Sequence, residues 1–344
     1  MSKKISINGK SLNEIEKICQ DLSFPKFHGE QIYRWMYNKK CLNTSEMHNV
    51  PIKLLSKINE NYFFENLKIK NKSKSKIDQT TKYLLETNDS NYIESVSMID
   101  NNRHTVCLSS QIGCSVDCDF CATGKMGIIR NLSIGEILEQ VIIIQKNSNL
   151  PITNIVFMGM GEPFLNYLNT INACKILSDN KAFNFGKKRI TISTSGILPK
   201  IKKYIEEKHR YKLAISLNAP NNELRDKIIP INKKWNIDDI LAALKKYEYN
   251  RSTPIMFEYI LLKNFNDSDN NAFELSNLLK NTPCKVNLIP FNQTGTTYSR
   301  SETLRINNFA KILNENSNNI RVLIRWSKGE DIDAACGQLA TNNA

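Results

Sequence analysis

From residue 103 onward, short apolar runs alternate with longer segments whose apolar positions recur every three to four residues. Thr105–Leu108, Ile152–Met158, Arg189–Thr194, Leu213–Leu217, Ile255–Leu262 and Lys285–Pro290 are predicted strands. Ile134–Lys146, Leu168–Asp179, Pro199–Glu207, Ile237–Tyr247, Asp269–Leu279 and Arg305–Asn314 are predicted helices. Strands without a polar face are those covered on both sides, so the alternation predicts a parallel sheet dressed with helices. Six units fit an α/β fold, either a partial (βα)6 TIM-like barrel or a doubly wound sheet. A seventh strand, Ile320–Ile324, leads into a C-terminal tail.

The first hundred residues follow other patterns. Ser11–Asp21 carries Leu12, Ile15, Ile18 and Cys19 at a helical period, Pro25 opens a second amphipathic segment, and Pro51 a third. Tyr33 and Trp35 suit the core of this small unit, while Lys26, His28 and Arg34 are placed to meet phosphates. Lysines alternate along Lys68–Lys76, as on a solvated edge strand. Tyr83–Leu85, Tyr92–Ile99 and His104–Leu108 read as short strands separated by turn residues. The expected division is a helical unit at 1–66, a hairpin-like β connector at 67–102, the main domain at 103–319 and a strand with tail at 320–344.

Charge and cysteine content change the picture in two ways. A net charge of +13 over 344 residues favours a polyanionic partner such as nucleic acid. The nine cysteines are odd in number and irregularly spaced, which suits thiols and metal ligands in a reducing cytoplasm better than a disulfide framework. The start, Met1-Ser2-Lys3-Lys4-Ile5, has no apolar leader core, and no apolar run is long enough to span a bilayer.

The chemistry concentrates in Gly113-Cys114-Ser115-Val116-Asp117-Cys118-Asp119-Phe120-Cys121, where three cysteines stand at i, i+4 and i+7. Three thiolates hold three irons of a 4Fe-4S cube and leave the fourth open to a substrate or cofactor. A structural zinc asks for a fourth Cys or His at short spacing. The next cysteine is Cys174, and the histidines are His28, His48, His104 and His209. Other chemical residues gather where strands end: Gly159-Met160-Gly161-Glu162-Pro163, Ser193-Thr194-Ser195-Gly196, Ser216-Leu217-Asn218 and Pro290-Phe291-Asn292. The carboxyl ends of strands carry the site in barrels and open sheets alike.

The cysteine loop ahead of a partial barrel resembles the radical S-adenosylmethionine (SAM) superfamily, in which SAM chelates the open iron. The whole chain is similar to the RlmN family of dual-specificity adenine-C2 RNA methyltransferases. Asn154–Pro163, Ser193–Gly196, Ala214–Pro220, Pro230–Lys234, Asn287–Asn292 and the tail Asp331–Leu339 carry that likeness. It implies a 4Fe-4S cluster on Cys114, Cys118 and Cys121, and SAM contacts at Gly161, Glu162, Ser193, Ser216, Leu217, Asn218 and Asn292. The family often has His where this chain has Asn218. The resemblance further implies that one SAM methylates Cys336 and that a second supplies the 5′-deoxyadenosyl radical activating the S-methyl group. The resulting carbon adds to adenine C2, Cys107 resolves the adduct through a transient disulfide with Cys336, and Glu94 accepts the proton. The implied substrates are an adenine in the peptidyl-transferase region of 23S rRNA and the adenine 3′ of the anticodon (position 37) in some tRNAs. A flavodoxin- or ferredoxin-type electron donor, a monomeric state and a cytoplasmic location are also expected.

Without the resemblance, Cys107 is a thiol on an apolar strand and Glu94 a solvent-facing residue of an alternating strand. Cys19, Cys41, Cys174 and Cys284 suit structural roles. Lys125 and Arg130, just past the loop, suit contact with RNA, balancing of cluster charge, or plain solvation. A Cfr-like adenine-C8 methyltransferase and a non-catalytic ribosome-assembly RNA-binding protein are the competing functional readings.

Overall fold

The structure, a computed structural model, describes residues 4–247 and 254–341. Met1–Lys3, read above as lacking a leader core, and the last three residues of the expected tail lie outside the described residues. The N-terminal unit contains β1 (Ile5–Ser6), α1 (Leu12–Asp21), α2 (Phe27–Tyr33), α3 (Ile52–Asn61) and β2 (Tyr62–Phe63). Helix α1 begins where the pattern predicts, because Ser11 and Glu14 cap each other's backbone amides in a capping box. Tyr33 and Met36 are buried and Trp35 partly so, its indole N–H bonded to Asn49.

The next strands are β3 (Lys68–Lys74), β4 (Gln79–Glu86), β5 (Tyr92–Asp100), β6 (Arg103–Leu108) and β7 (Gln111–Gly113). They are followed by α4 (Ala122–Lys125), β8 (Ile128–Asn131), α5 (Ile134–Lys146), β9 (Asn154–Phe157), α6 (Tyr167–Ser178), β10 (Ile190–Thr194) and α7 (Leu198–Glu206). The chain ends through β11 (Lys212–Ser216), α8 (Asn222–Ile228), α9 (Ile237–Leu244), β12 (Ile255–Leu261), α10 (Asp269–Leu279), β13 (Cys284–Pro290), α11 (Thr303–Asn316) and β14 (Ile320–Ile324).

One sheet of ten strands organises the molecule, in the order β14-β13-β12-β11-β10-β9-β6-β5-β4-β3. From β6 to β14 every neighbouring pair is parallel, which is the predicted α/β barrel portion. Strands β3 to β5 extend the same sheet antiparallel beyond β6, with Val96 opposite Cys107. The lysine-rich β3 is the exposed edge that its pattern predicts, its lysines blunting further pairing. Strands β9 to β13 are almost wholly buried, consistent with their lack of a polar face.

The helical unit is tied to the barrel by polar contacts. Glu139 of α5 accepts from Asn8 Nδ2 (2.9 Å) and the Leu67 N–H (2.8 Å), and Tyr33 donates to Asp179 (2.9 Å). Glu65, Glu136 and Glu139 crowd this joint, and burial pushes Glu65 up to about 7.

Candidate active site

The cysteine loop leaves β7 through Gly113, whose φ of +75° suits glycine. A Cβ there would stand 1.9 Å from the Gly127 carbonyl, the group that accepts the Cys114 N–H at 2.7 Å. Val116 and Phe120 pin the loop into a satellite core with Ile228, Ile260 and Phe291, and the three cysteines pack against that core. All three line one cavity, which encloses about 830 Å³ of empty space with its open mouth included. Burial pushes Cys114 up to about 12 and Cys118 well above the ordinary thiol value. A bound metal is what draws such protons off.

Among the described residues no three His, Cys, Asp or Glu are gathered tightly enough to hold a single metal ion. A cube asks for a different arrangement, since each thiolate meets its own iron and the sulfurs stand farther apart. The three cysteines of the loop, on one cavity wall, fit such a cube.

The opposite wall comes from the ends of β9, β10, β11 and β12: Gly161, Glu162, Ser193, Ser195, Ser216, Asn218 and Glu258 all line it. Gly161, at φ +92°, crosses so close to Gln111 that a Cβ would lie 2.4 Å from that side chain. Glu162 is buried, and burial raises its pKa. Its two oxygens accept from the N–H groups of Phe164 (2.9 Å) and Ser195 (2.7 Å), so part of its accepting capacity serves the loop itself. Ser193 and Ser216 face each other on adjacent strands, 3.4 Å apart. Asn218 adopts φ +57°, which Asn tolerates better than most residues, and accepts the Ile260 N–H at 2.9 Å. Two expected contacts are absent from the lining. Leu217 packs into the main core, and Asn292 donates to the Cys336 carbonyl (3.1 Å), bracing the tail.

Three residues of this wall were given no role on sequence grounds. Ser195 Oγ and one Glu258 oxygen are buried without hydrogen-bond partners, as is the Asn292 carbonyl oxygen nearby. Orphaned buried polar atoms of this kind await a ligand or water. Glu258 could have been noticed as a lone charge inside the apolar run Ile255–Leu262. The third is Arg225, fully buried behind the wall. It donates to the carbonyls of Ser195, Ser216 and Leu217 and to Asn232 Oδ1. Burial lowers its pKa, yet a guanidinium stays charged at neutral pH.

After β14 the tail crosses the open edge of the barrel. Lys328 pairs with Asp100 (3.3 Å), Asp78 accepts the Gly329 N–H (2.9 Å), and Asp331 accepts from Ser75 (2.7 Å) and the Lys76 N–H (2.8 Å). Cys336 follows, exposed, on the wall shared by two cavities. One holds the cysteine loop; the other holds Cys107, Met158, Arg325 and Trp326. Although it opens to solvent, Cys336 is surrounded by protein, and that enclosure raises its thiol pKa. Burial pushes Cys107 up to about 12, with Cys336 adding to the effect. Both are free thiols. Cys19, Cys41, Cys174 and Cys284 are buried away from both cavities.

Glu94 corrects the expectation of a solvent-facing residue, because it is only 4% exposed. It pairs with Lys82 at 3.0 Å and accepts the Ala340 N–H at 2.9 Å, and burial raises its pKa. Strand alternation alone cannot report that the tail covers this face. Lys125 and Arg130 are already paired, Lys125 with Asp117 and Asp119 and Arg130 with Glu136 and Asp89.

A cysteine loop at the mouth of a parallel half-barrel, facing strand ends rich in small and polar residues, defines a radical SAM protein, and the model of the radical SAM superfamily matches residues 108–275. The ribosomal RNA large subunit methyltransferase N-terminal domain model matches residues 5–63. The probable dual-specificity RNA methyltransferase RlmN of Pseudothermotoga lettingae is 45% identical over 96% of this chain and 95% of its own. That of Thermotoga maritima is 43% identical over the same shares. A radical SAM methyltransferase structure from Sphaerobacter thermophilus superposes with a TM-score of 0.92 at 38% identity, covering 98% of this chain and 100% of the other. The chain belongs to the RlmN family of radical SAM methyltransferases. Among the described residues no helix is long and apolar enough to cross a membrane.

Proposed function

We propose that this SAM-dependent RNA methyltransferase places a methyl group on C2 of an adenine in the peptidyl-transferase region of 23S rRNA and on the adenine at position 37 of some tRNAs. The observation that carries the reading is the position of Cys336 on the wall between the cysteine-loop cavity and the cavity of Cys107. A thiol there can collect a methyl group on one side and present it to a base on the other.

In this reading Cys114, Cys118 and Cys121 hold a 4Fe-4S cluster. Gly161, Glu162, Ser193, Ser216 and Asn218 bind SAM from the facing wall, while Leu217 and Asn292 act by bracing that wall and the tail. When bound, the cluster and SAM supply a 5′-deoxyadenosyl radical, using an electron from a flavodoxin- or ferredoxin-type donor. Cys336 carries the methyl carbon to the base. Cys107 releases the product by forming a transient disulfide with Cys336, a catalytic use of thiols that a reducing cytoplasm allows. Glu94 takes the proton lost from C2. Its bond to the Ala340 N–H ties it to the segment bearing Cys336. The 1–66 unit contacts RNA through exposed cations such as Lys26, and the enzyme acts as a monomer.

Mass spectrometry of the purified protein is expected to find one methyl group on Cys336. The Cys107→Ala variant is expected to accumulate covalently on RNA through Cys336, and clean turnover by it would remove Cys107 from the mechanism. Digestion of modified RNA should release 2-methyladenosine, and 8-methyladenosine instead would overturn the C2 assignment.

A further inference from the structure

The barrel has a second end, opposite the cysteine loop, where its strands begin. Basic residues stand there strand after strand. Arg103 is the first residue of β6, Arg189 immediately precedes β10, Lys212 opens β11, and Lys285 is second in β13. Arg321, second in β14, is the register partner of Lys285.

Alternation fixes which way most of these side chains point. Arg103 shares the face of Cys107, and both line the inner cavity. Lys212 shares the face of Ser216 and Lys285 that of Ile289, both of which line the upper cavity, while Arg189 closes the turn that leads into β10. The cations thus converge on the barrel axis at its lower mouth. Their mutual influence agrees. Lys212 is held below the usual lysine value by burial first and then by Lys285, Arg103 and Arg189. Strand β6 lies three strands from β11 in the sheet, so the influence of Arg103 on Lys212 acts across the bore rather than between neighbouring strands. Among the described residues none of the five forms an ion pair. Asp100, the register partner of Arg103, offsets part of its charge but is also engaged by Lys328.

An uncompensated ring of cations repels itself and lowers stability unless an anion completes it. We propose that the lower mouth of the barrel is a phosphate-binding site for RNA, engaging backbone phosphates of the substrate beside the inner cavity that Arg103 shares with Cys107. This rests on the RNA reading above and adds a second contact surface to it. Arg103, Arg189 and Arg321 are exposed and Lys212 and Lys285 half-buried, so phosphodiester groups reach the ring without threading the bore.

The test uses the full chain and an unmodified tRNA transcript, with affinity measured across salt concentrations. Each phosphate that is no longer neutralised lowers the slope of log K against log salt by about 0.7–0.9. The variant carrying R189Q, K212M and K285M is therefore expected to lose about two to three units of slope, and about two orders of magnitude in affinity at 0.1 M salt. Its Tm is expected to rise, because the repulsion is relieved. The methyl group on Cys336 is expected to be retained.

An unchanged slope would overturn the proposal. So would a lower Tm accompanying weaker binding, which would assign the ring to the fold. A third overturning result is an unchanged RNA slope with inorganic pyrophosphate shielding Lys212 from acetylation, which would mark a site for free polyphosphate. A wild-type protein that fails to bind RNA would sink the RNA reading itself, and this inference with it.

Discussion

Replacing Arg225 by Met removes a guanidinium buried behind the wall that the ends of β10 and β11 give to the cysteine-loop cavity. Its guanidinium satisfies four acceptors: the Leu217 carbonyl (2.9 Å), the Ser216 carbonyl (3.0 Å), the Ser195 carbonyl (2.5 Å) and Asn232 Oδ1 (2.7 Å). A buried acceptor left without a donor costs about 1–3 kcal/mol. Carbonyls share such losses as the loop relaxes, and breaking a buried charged network typically costs about 3–5 kcal/mol in total. With an unfolding entropy of about 2.1 cal/mol/K per residue, a cooperatively unfolding chain of 344 residues is expected to lose about 4–7 °C in Tm. Arg225→Lys is expected to recover less than half of this, because an ammonium lacks the planar fork that reaches several carbonyls together. The assay is an anaerobic thermal melt of the three proteins side by side, with SAM affinity measured on the same samples. SAM affinity should fall with Tm, since Ser195 and Ser216 are held by the same fork. A Met variant within about 1 °C of wild type, or a Lys variant equal to it, would refute the reasoning.

Other predictions concern the domain joint, the glycine turn and the tail. The folded pKa of Glu65, about 7, lies above its ordinary value of 4.5, so the native state keeps the proton longer. Stability is then full below pH 4.5 and falls as pH rises towards 7, by about 3 kcal/mol at 1.36 kcal/mol per unit. Melts between pH 4.5 and 8 should show a decline that Glu65→Gln reduces, and an equal decline in both proteins would count against it. Gly161→Ala meets Gln111 at 2.4 Å in a left-handed conformation, whereas Gly127→Ala, also left-handed at φ +70°, meets nothing within 4 Å. The first is expected to cost more than about 2 kcal/mol and the second about 1, and melts in the reverse order would refute the packing argument. Glu94→Gln weakens the hold on Lys82 and Ala340, so limited proteolysis should cut the tail near Ala340 faster than in wild type. Equal cleavage rates would show that Glu94 does not hold the tail.

Much of the fold was legible because buried parallel strands leave an unmistakable pattern. The barrel strands fall within a few residues of the predicted runs, and Asp269–Leu279 coincides at both ends. Helix α8, Asn222–Ile228, escaped because its sequence Asn-Glu-Leu-Arg-Asp-Lys-Ile is nearly all polar and offers little apolar period. For the same reason nothing in the sequence singled out Arg225, although it is fully buried. The cysteine loop stood out because its three thiols lie within eight residues of one another. The remaining relations are long-range. Nothing local says that β6 pairs with β9, that the tail covers Glu94, or that residues as distant as Arg103 and Lys285 share one mouth of the bore. Asn292 shows the same limit, since its partner is the Cys336 carbonyl rather than the cavity.

The antiparallel extension of the sheet bears on how the protein can be divided. The radical SAM family model begins at residue 108, inside the barrel, yet β6 is hydrogen-bonded on one side to β9 and on the other to β5. A chain trimmed to begin at Arg103 would turn the strand bearing Cys107 into an edge, baring a row of unpaired amides and carbonyls open to another chain. It would also remove Asp78, Lys82, Glu94 and Asp100, the anchors of the segment that holds Cys336. Strands β4 and β5, with the turn before β4, therefore brace the chamber that the two thiols share, and the smallest piece able to keep both in place must retain them.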